Sequence, residues 1–412
     1  MLIKEAKLIL AAFFAACLVC TCVKPSTALQ VASASSEVSG VDENQMSKEN
    51  VLLCKNGMLN DVQKALKSGR LTVSEKDKDG NTALIWASLN PDPDVALAII
   101  DAGGNVNCEN NFGVTPIKAA ASLNLNLKVA SELIEAGADV NAKDPDGHAP
   151  LAWVAQMSPN PRSIDILVKA GANVNDKDNN GGTPLMWAAA KNQNPAIVER
   201  LIKSGADVLE KDNTGLTALM LAASSNPNPK VIKELLDAGA DVNEKAPDGS
   251  TALMAAAMTN ANPEVINVLI KAGAYIHEKG QNGETALMAA AMGNPNPEVI
   301  KALINAGSRV NTKTADGKSA LMLASAMNAN VDVIKALIDG DAFVNAKDAS
   351  GKTPLMYATL SNSNPEVITI LLKSGANPKT KDASGRRAID FAEKNEFLKG
   401  RKAYWKLKGA SS

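Results

Sequence analysis

The chain has 412 residues, a net charge of −1, 45% apolar residues and only 3% aromatics. That length holds two or three ordinary domains or one long array, and the near-neutral charge speaks against a dedicated nucleic-acid binder, which carries a strong basic excess. With so few aromatics a core must be built from Ala, Leu, Ile, Val and Met, and five cysteines over this length exclude a disulfide scaffold.

The N-terminus reads as a targeting segment. Lys4 and Lys7 precede an uncharged apolar stretch from Leu8 to Val23, and small residues follow. This is the order of a secretory signal, and the stretch is short of the roughly 20 apolar residues of a spanning helix. Residues 1–28 are therefore read as a signal peptide. Cleavage has two candidate sites, Ser26-Thr27-Ala28 and Ala32-Ser33-Ala34, the first nearer the apolar run. Phe14-Ala15-Ala16-Cys17 offers another route, since it resembles a bacterial lipoprotein box, without the usual leading Leu, in which Cys17 is the lipidated residue. Membrane anchoring through a retained N-terminus, or an apolar helix packed on the rest of the chain, are the remaining alternatives. Residues 29–46, rich in Ser, Ala and Val, read as a flexible spacer.

From residue 47 one pattern recurs. Thr82, Thr115, Ala149, Thr183, Thr217, Thr251, Thr285, Ser319, Thr353 and Arg387 are equivalent, 33 residues apart at the first step and 34 at every later one. A glycine stands two residues before each, from Gly80 to Gly385, and a fixed glycine signals a turn with positive φ or a close backbone approach. Thr followed by Pro, as at Pro116, Pro184 and Pro354, is a helix N-cap and first position, so a short alanine-rich helix begins there. Eleven residues after the anchors come Asn126, Asn160, Asn194, Asn228, Asn262, Asn296, Asn330 and Asn364, six of them followed by Pro, which predicts the cap of a second helix. Val299, Ile300, Leu303 and Ile304 give that helix one apolar face, and Gly307 ends it, as Gly137, Gly171, Gly205, Gly239, Gly273 and Gly375 end theirs. Asp341 stands where the ninth repeat should have this glycine, which predicts a local distortion.

The unit is thus turn, short helix, loop, longer helix and extended turn. The Trp, Gly and Tyr landmarks of tetratricopeptide repeats are absent. "DGNTALIWA" (79–87), "GGTPLMWAA" (181–189) and "AGADVNAKD" (136–144) resemble ankyrin repeats, with Met in place of the family's His at Met186, Met220, Met254, Met288, Met322 and Met356, and with one extra residue in the inter-helix loop. The resemblance implies an all-α solenoid of helix-turn-helix units with β-turn fingers over residues 47–409, about eleven repeats including degenerate ends. Neighbouring helices about 8–10 Å apart would make such an array on the order of 100 Å long. It also implies a concave, protein-binding face made of fingertips and first helices, and no enzymatic activity.

Candidate contact residues on that face are Val114, His148, Leu216, Glu284, Lys318 and Lys352, each just before an anchor, and Met258, Met292 and Met327 at the exposed end of the first helices. Flexible, polarisable methionine suits an adaptable groove, although the same residues would also fill the packing between helices. Both histidines, His148 and His277, read as surface or turn residues. Gly317-Lys318-Ser319 and Gly351-Lys352-Thr353 mimic the end of a phosphate loop, but the upstream glycines are missing. Asp176, Asp178 and Asn180 form half of a calcium loop whose closing Glu is replaced by Trp187. Cys54 and Cys108 fall more than one repeat apart, as small buried or idle thiols rather than a bridge. The basic C-terminal segment around Tyr404 and Trp405 reads as the polar cap that an exposed last repeat needs, with an anionic membrane or nucleic-acid patch as the alternative. The resulting expectation is an exported, monomeric scaffold, periplasmic, envelope-associated or secreted, that binds a protein partner and uses no cofactor, metal or nucleic acid. A structural or protective envelope component and a secreted effector acting on a host protein are the alternatives.

Overall fold

The computed structural model describes residues 45–411, apart from 125, 396, 397, 399 and 400. The expected signal peptide, its cleavage sites, Cys17 and nearly all of the spacer lie outside the described residues. The spacer's last two residues belong instead to the fold. Gln45 pairs with Lys76 in an isolated bridge, and Met46 is buried, its N–H donating to the Lys76 carbonyl at 2.9 Å.

The described chain forms two compact units that divide between Ala218 and Leu219. In the first, helices come in pairs: α1 (Lys48–Asn56) with α2 (Leu59–Lys67), α3 (Ala83–Ala87) with α4 (Pro93–Asp101), α5 (Pro116–Leu123) with α6 (Lys128–Glu135), α7 (Pro150–Met157) with α8 (Arg162–Lys169), and α9 (Pro184–Lys191) with α10 (Pro195–Lys203). The pairs continue through the second: α11 (Ala218–Ser225) and α12 (Pro229–Asp237), α13 (Ala252–Thr259) and α14 (Pro263–Lys271), α15 (Ala286–Gly293) and α16 (Pro297–Asn305), α17 (Ala320–Met327) and α18 (Val331–Asp339), α19 (Pro354–Ser361) and α20 (Glu366–Lys373), and last α21 (Ala388–Ala392) and α22 (Lys402–Ser411). Among the described residues the β-structure is limited to isolated bridges.

Two caps set each pair. Before α15, Thr285 is extended (φ −106°, ψ 167°) and its hydroxyl accepts the Met288 N–H, satisfying a donor that the first turn of a helix leaves unpaired. Thr82, Thr115, Thr183, Thr251, Ser319 and Thr353 do the same, whereas Ala149 leaves α7 without a side-chain cap. At the second helix Asn296 Oδ1 accepts the Glu298 N–H at 3.0 Å with Pro297 in the first helical position. All eight asparagines predicted for this role accept the N–H two residues on. First helices are small and apolar almost all round, so they are buried: every residue of α15 from Ala286 to Met292 is in the core. Second helices bury one face, Val299, Ile300 and Leu303 in α16, and show water the other.

The glycine before each anchor has positive φ, as Gly147 does at 87°, where an added Cβ would also lie 2.6 Å from the Asn179 side chain of the next finger. At the end of α18 the distortion is absorbed at one residue. Asp341 adopts φ 66°, alone among described non-glycine residues, and takes the left-handed conformation its counterparts reach as glycine.

Asn296 also donates its Nδ2 to the Ala261 carbonyl of the preceding loop, at 2.7 Å. Asn296→Ala is expected to cost about 1–2 kcal/mol in urea unfolding, with hydrogen exchange speeding up at the start of α16 first. Unchanged protection there would overturn the assignment.

Candidate partner-binding face

Each finger is a turn closed by its own first residue. Asp144 Oδ1 accepts the N–H of Asp146 (3.1 Å) and His148 (2.8 Å), and the Gly147 N–H returns to the Asp144 carbonyl at 2.9 Å. The other carboxylate oxygen accepts the indole N–H of Trp153 at 2.7 Å, nine residues on in the first helix. The same tie joins Asp77 to Trp86, Asp178 to Trp187 and Asp348 to Tyr357. Finger and helix are thus locked together by a charge-assisted hydrogen bond. Adjacent fingers are joined through their backbones, as Asn179 N–H to Asp146 O and Ala315 N–H to Asn282 O show.

The residue after the glycine is consequently drawn back toward the residue that closes its finger, Asp144 for His148, Asn110 for Val114 and Thr314 for Lys318. Val114, His148 and Leu216 are buried, at 2%, 9% and 7% exposure, and Glu284, Lys318 and Lys352 are half-buried. The expectation that this position forms the fingertip is corrected. The exposed tips lie two to three residues earlier, at Pro145-Asp146, Asn179-Asn180 and Gln281-Asn282. The signal was present in "DPDG" (144–147), where Pro occupies the first central position of a turn. Lys318 Nζ sits 2.6 Å from Asp316, and Lys352 Nζ 2.8 Å from Ser350 Oγ.

The methionines do come together, but inward. Met258, Ala289 and Met292 form a buried cluster against which Leu323 and Met327 pack. Met258 is 2% exposed and Met292 9%, contrary to the expectation of an exposed helix end. For Met258 the cause is Gly293, where a Cβ would come within 3.1 Å of Met258 Cγ; without one, Met258 has room to turn inward. Met327 stays half-buried. Met258→Glu with Met292→Glu is therefore a core substitution that unfolds these repeats before it reports on binding.

Behind the fingers, in the inter-helix loops, runs a row of asparagines that the sequence reading did not single out. Asn294, fully buried, donates Nδ2 to Ala257 O (2.9 Å) and Asn260 O (2.8 Å) of the preceding repeat, and its Oδ1 accepts the Asn296 N–H at 2.9 Å. Asn260, Asn328 and Asn362 repeat this in the second unit, Asn124 and Asn192 in the first. A side-chain amide has two donors and an acceptor, enough to satisfy three loop backbone groups at once.

The family model for ankyrin repeats (3 copies) matches residues 51–144, 151–246, 219–314 and 287–382. The chain belongs to the ankyrin repeat family. No curated protein sequence matches it significantly.

Ankyrin repeats generally mediate protein–protein interaction and are typically non-enzymatic scaffolds. The other candidate residues find structural places in the ankyrin frame. Both oxygens of Asp178 are occupied, Oδ1 by the Asn180 and Gly182 N–H groups and Oδ2 by Trp187 Nε1, and Asp176 pairs with Lys143. Among the described residues no group of three or more His, Cys, Asp and Glu is placed to hold a metal. Ser319 and Thr353, which end the phosphate-loop mimics, cap helices. Cys54 and Cys108 are free thiols, and burial pushes Cys54 up to about 12. Among the described residues no helix is long and apolar enough to cross a membrane.

His148 departs from its surface expectation. Nδ1 lies 3.3 Å from Asp144 Oδ1 and Nε2 3.4 Å from Asp178 Oδ2, so the imidazole bridges two fingers, with Trp187 edge-on at 5.0 Å. Burial alone would lower its pKa, but hydrogen bonds to Asp144 and Asp178 outweigh burial and raise it to about 9. Lys118, with 0% side-chain exposure, donates to Gly113 O at 2.9 Å and lies 3.8 Å from Asp144. There burial dominates the attraction of Asp144 and lowers the ammonium to about 8.

Proposed function

We propose that this ankyrin protein is an exported scaffold that grips a protein partner with its exposed finger tips and the half-exposed residues behind them. One observation carries the reading. The turn glycine of the finger recurs at positive φ in every unit from Gly80 to Gly385, its N–H returned to the carbonyl three residues earlier, while the tips change chemistry, from Pro145-Asp146 through Asn179-Asn180 and Gln281-Asn282 to Ala315-Asp316. A frame held constant under a varied surface suits recognition of one defined shape better than bulk structure. Export is supported by the order of charge, apolar run and small residues at the N-terminus.

The mature native protein is expected to begin near Leu29 or Ser35, or at a lipidated Cys17, by N-terminal sequencing and intact mass; Met1 intact in a cytosolic fraction would overturn export. For binding, the mature array is used to capture its partner from native extract, and the purified pair is compared with a Lys318→Glu/Lys352→Glu variant. Association is expected to slow several-fold, with the difference shrinking as salt rises, because rim charges act mainly on encounter. An unchanged on-rate would remove these lysines from the face.

A further inference from the structure

After each second helix, the residue two before the "DVN" asparagine plays a turn role that most repeats share. Asn105, Asp139, Asn173, Asp207, Asp241 and Asn377 each accept, with a side-chain oxygen, the backbone N–H two residues on. In three consecutive repeats this acceptor is given up. Tyr275, Arg309 and Phe343 stand there, side chains with no oxygen to serve that turn, and all three are exposed, the aromatics at 63% and 65%. The fold does not ask for them. Tyr275 and Phe343 keep the backbone bonds of the position, each N–H reaching the asparagine of the preceding repeat at 2.8 Å. In a chain with only three Tyr and six Phe, two aromatics on one register, one repeat either side of an arginine, cost a local hydrogen bond and exposed apolar surface with no structural return. Arg309 makes no ion pair among the described residues.

We propose that Tyr275, Arg309 and Phe343 form a contact strip, on the edge where the second helices end, for an extended partner segment carrying an acidic side chain between two apolar ones. This deepens the partner-binding reading above and rests on it. Repeats are spaced about 10 Å apart, so the strip spans about 20 Å, the length of six residues of extended chain at roughly 3.3 Å each. The matching pattern is apolar-x-x-acid-x-x-apolar. A guanidinium with no carboxylate of its own selects the central acid, and planar rings select the flanking apolar groups. The groove between α14 and α16, lined by residues that include Ile270, Lys271, Glu298, Lys301, Asn305 and Ala306, ends three to four residues before Tyr275 and Arg309 in their repeats. An anionic bilayer, which would bring negative charge along the whole edge, fits less well than a single acid placed at Arg309, because exposed Asp339 and Asp341 precede Phe343.

The test is a displayed random heptapeptide library panned on the whole array and on a Tyr275→Asp/Arg309→Asp/Phe343→Asp variant. Aspartate is what Asp139, Asp207 and Asp241 already supply at this position, so the variant is expected to melt at or above the wild-type temperature. Wild type should enrich the apolar-acid-apolar spacing, and the enriched peptides should bind the triple variant at least tenfold more weakly. Arg309→Asp alone should reverse the central preference from acidic to basic. No enrichment of that spacing, or equal affinity for the triple variant, overturns the strip. If instead the peptides are lost with Lys318→Glu/Lys352→Glu, the finger face binds them and the partner-binding reading stands without the strip. Sedimentation with phosphatidylglycerol vesicles that the triple variant loses would make the edge a membrane surface and also overturn it.

Discussion

Asn294→Ala is expected to destabilise the second unit more than any surface substitution in these repeats, by roughly 3–5 kcal/mol in urea unfolding. The side chain is fully buried and satisfies three backbone groups, the carbonyls of Ala257 and Asn260 and the N–H of Asn296. Alanine leaves all three without their side-chain partner at a position that is itself fully buried, and each orphaned buried group costs about 1–3 kcal/mol. The Asn296 N–H is the most telling, because it belongs to the residue that caps α16. The loss therefore propagates from loop to helix and, since two of the bonds cross to the preceding repeat, to the packing between these two neighbouring repeats. Hydrogen exchange should show α15 and α16 opening together. Asn294→Asp sharpens the test. It keeps the acceptor and the size but replaces the amide donor with a carboxyl facing two carbonyl oxygens. Only the protonated acid can donate there, so its folded pKa is expected to rise above the ordinary value of about 3.9. A group whose pKa is raised on folding contributes stability at low pH and loses it as pH rises. The aspartate variant should therefore approach wild type in acid and weaken toward neutrality. A variant indifferent to pH, or an alanine variant within 1 kcal/mol of wild type, would show that the asparagine row is not what ties the loops.

The contrast between Asn294 and Asn296 explains how much of the fold was legible. Asn296 is followed by Pro297, and a polar cap before proline has a local meaning that one sequence carries. The same is true of Thr285 and of the glycines with positive φ, whose roles are settled by residues at most a few positions away. Asn294 precedes Asn296 by two residues and recurs as faithfully, in Asn260, Asn328 and Asn362, yet its partners are 34 and 37 residues earlier. Nothing local distinguishes it from a solvated loop residue; its recurrence at one register was the only signal. The exposure expected of His148 and Met258 failed in the same way. His148 meets Asp178 across a repeat boundary, and Met258 is drawn inward by Gly293 of the next repeat. Periodicity reports what each repeat does for itself, whereas burial in a stacked array is decided by the neighbour. Tyr275, Arg309 and Phe343 are the converse case, residues whose departure from the repeat is visible in sequence but whose exposure and lost turn bond are not.

His148→Phe is expected to remove a pH dependence that the wild-type first unit shows between about 6.5 and 8. The imidazole is raised from 6.5 to about 9 by its two carboxylates, and a shift of this size corresponds to about 3 kcal/mol at full protonation in both states. Because the folded pKa is the higher one, this stability is fully present below pH 6.5 and is lost as pH climbs to about 9. Lys118 works in the opposite sense. Its ammonium is lowered from 10.5 to about 8, so the folded state binds fewer protons than the unfolded chain between those values and stability rises with pH there. The window from 6.5 to 8 isolates the histidine, and Lys118→Met removes the countertrend above it. The two carboxylates complete the set. Burial opposes ionisation of Asp144, but hydrogen bonds from His148 and Trp153 and the Lys118 charge hold it below the ordinary range; Asp178 is held low against burial by His148, Gly182 and Trp187. Their contribution is present near neutrality and disappears in acid. Phenylalanine keeps an aromatic edge for Trp187 but leaves the two carboxylates facing each other without a cation between them. At pH 6.5 the variant should therefore be less stable by about 2–3 kcal/mol, and its stability should change little up to pH 8. Exchange of the finger amides of residues 144–148 and 178–182 reports the same node directly. A wild-type curve flat from 6.5 to 8, or a Phe variant that keeps the wild-type slope, would mean that the two fingers are held by their backbone and tryptophan bonds alone.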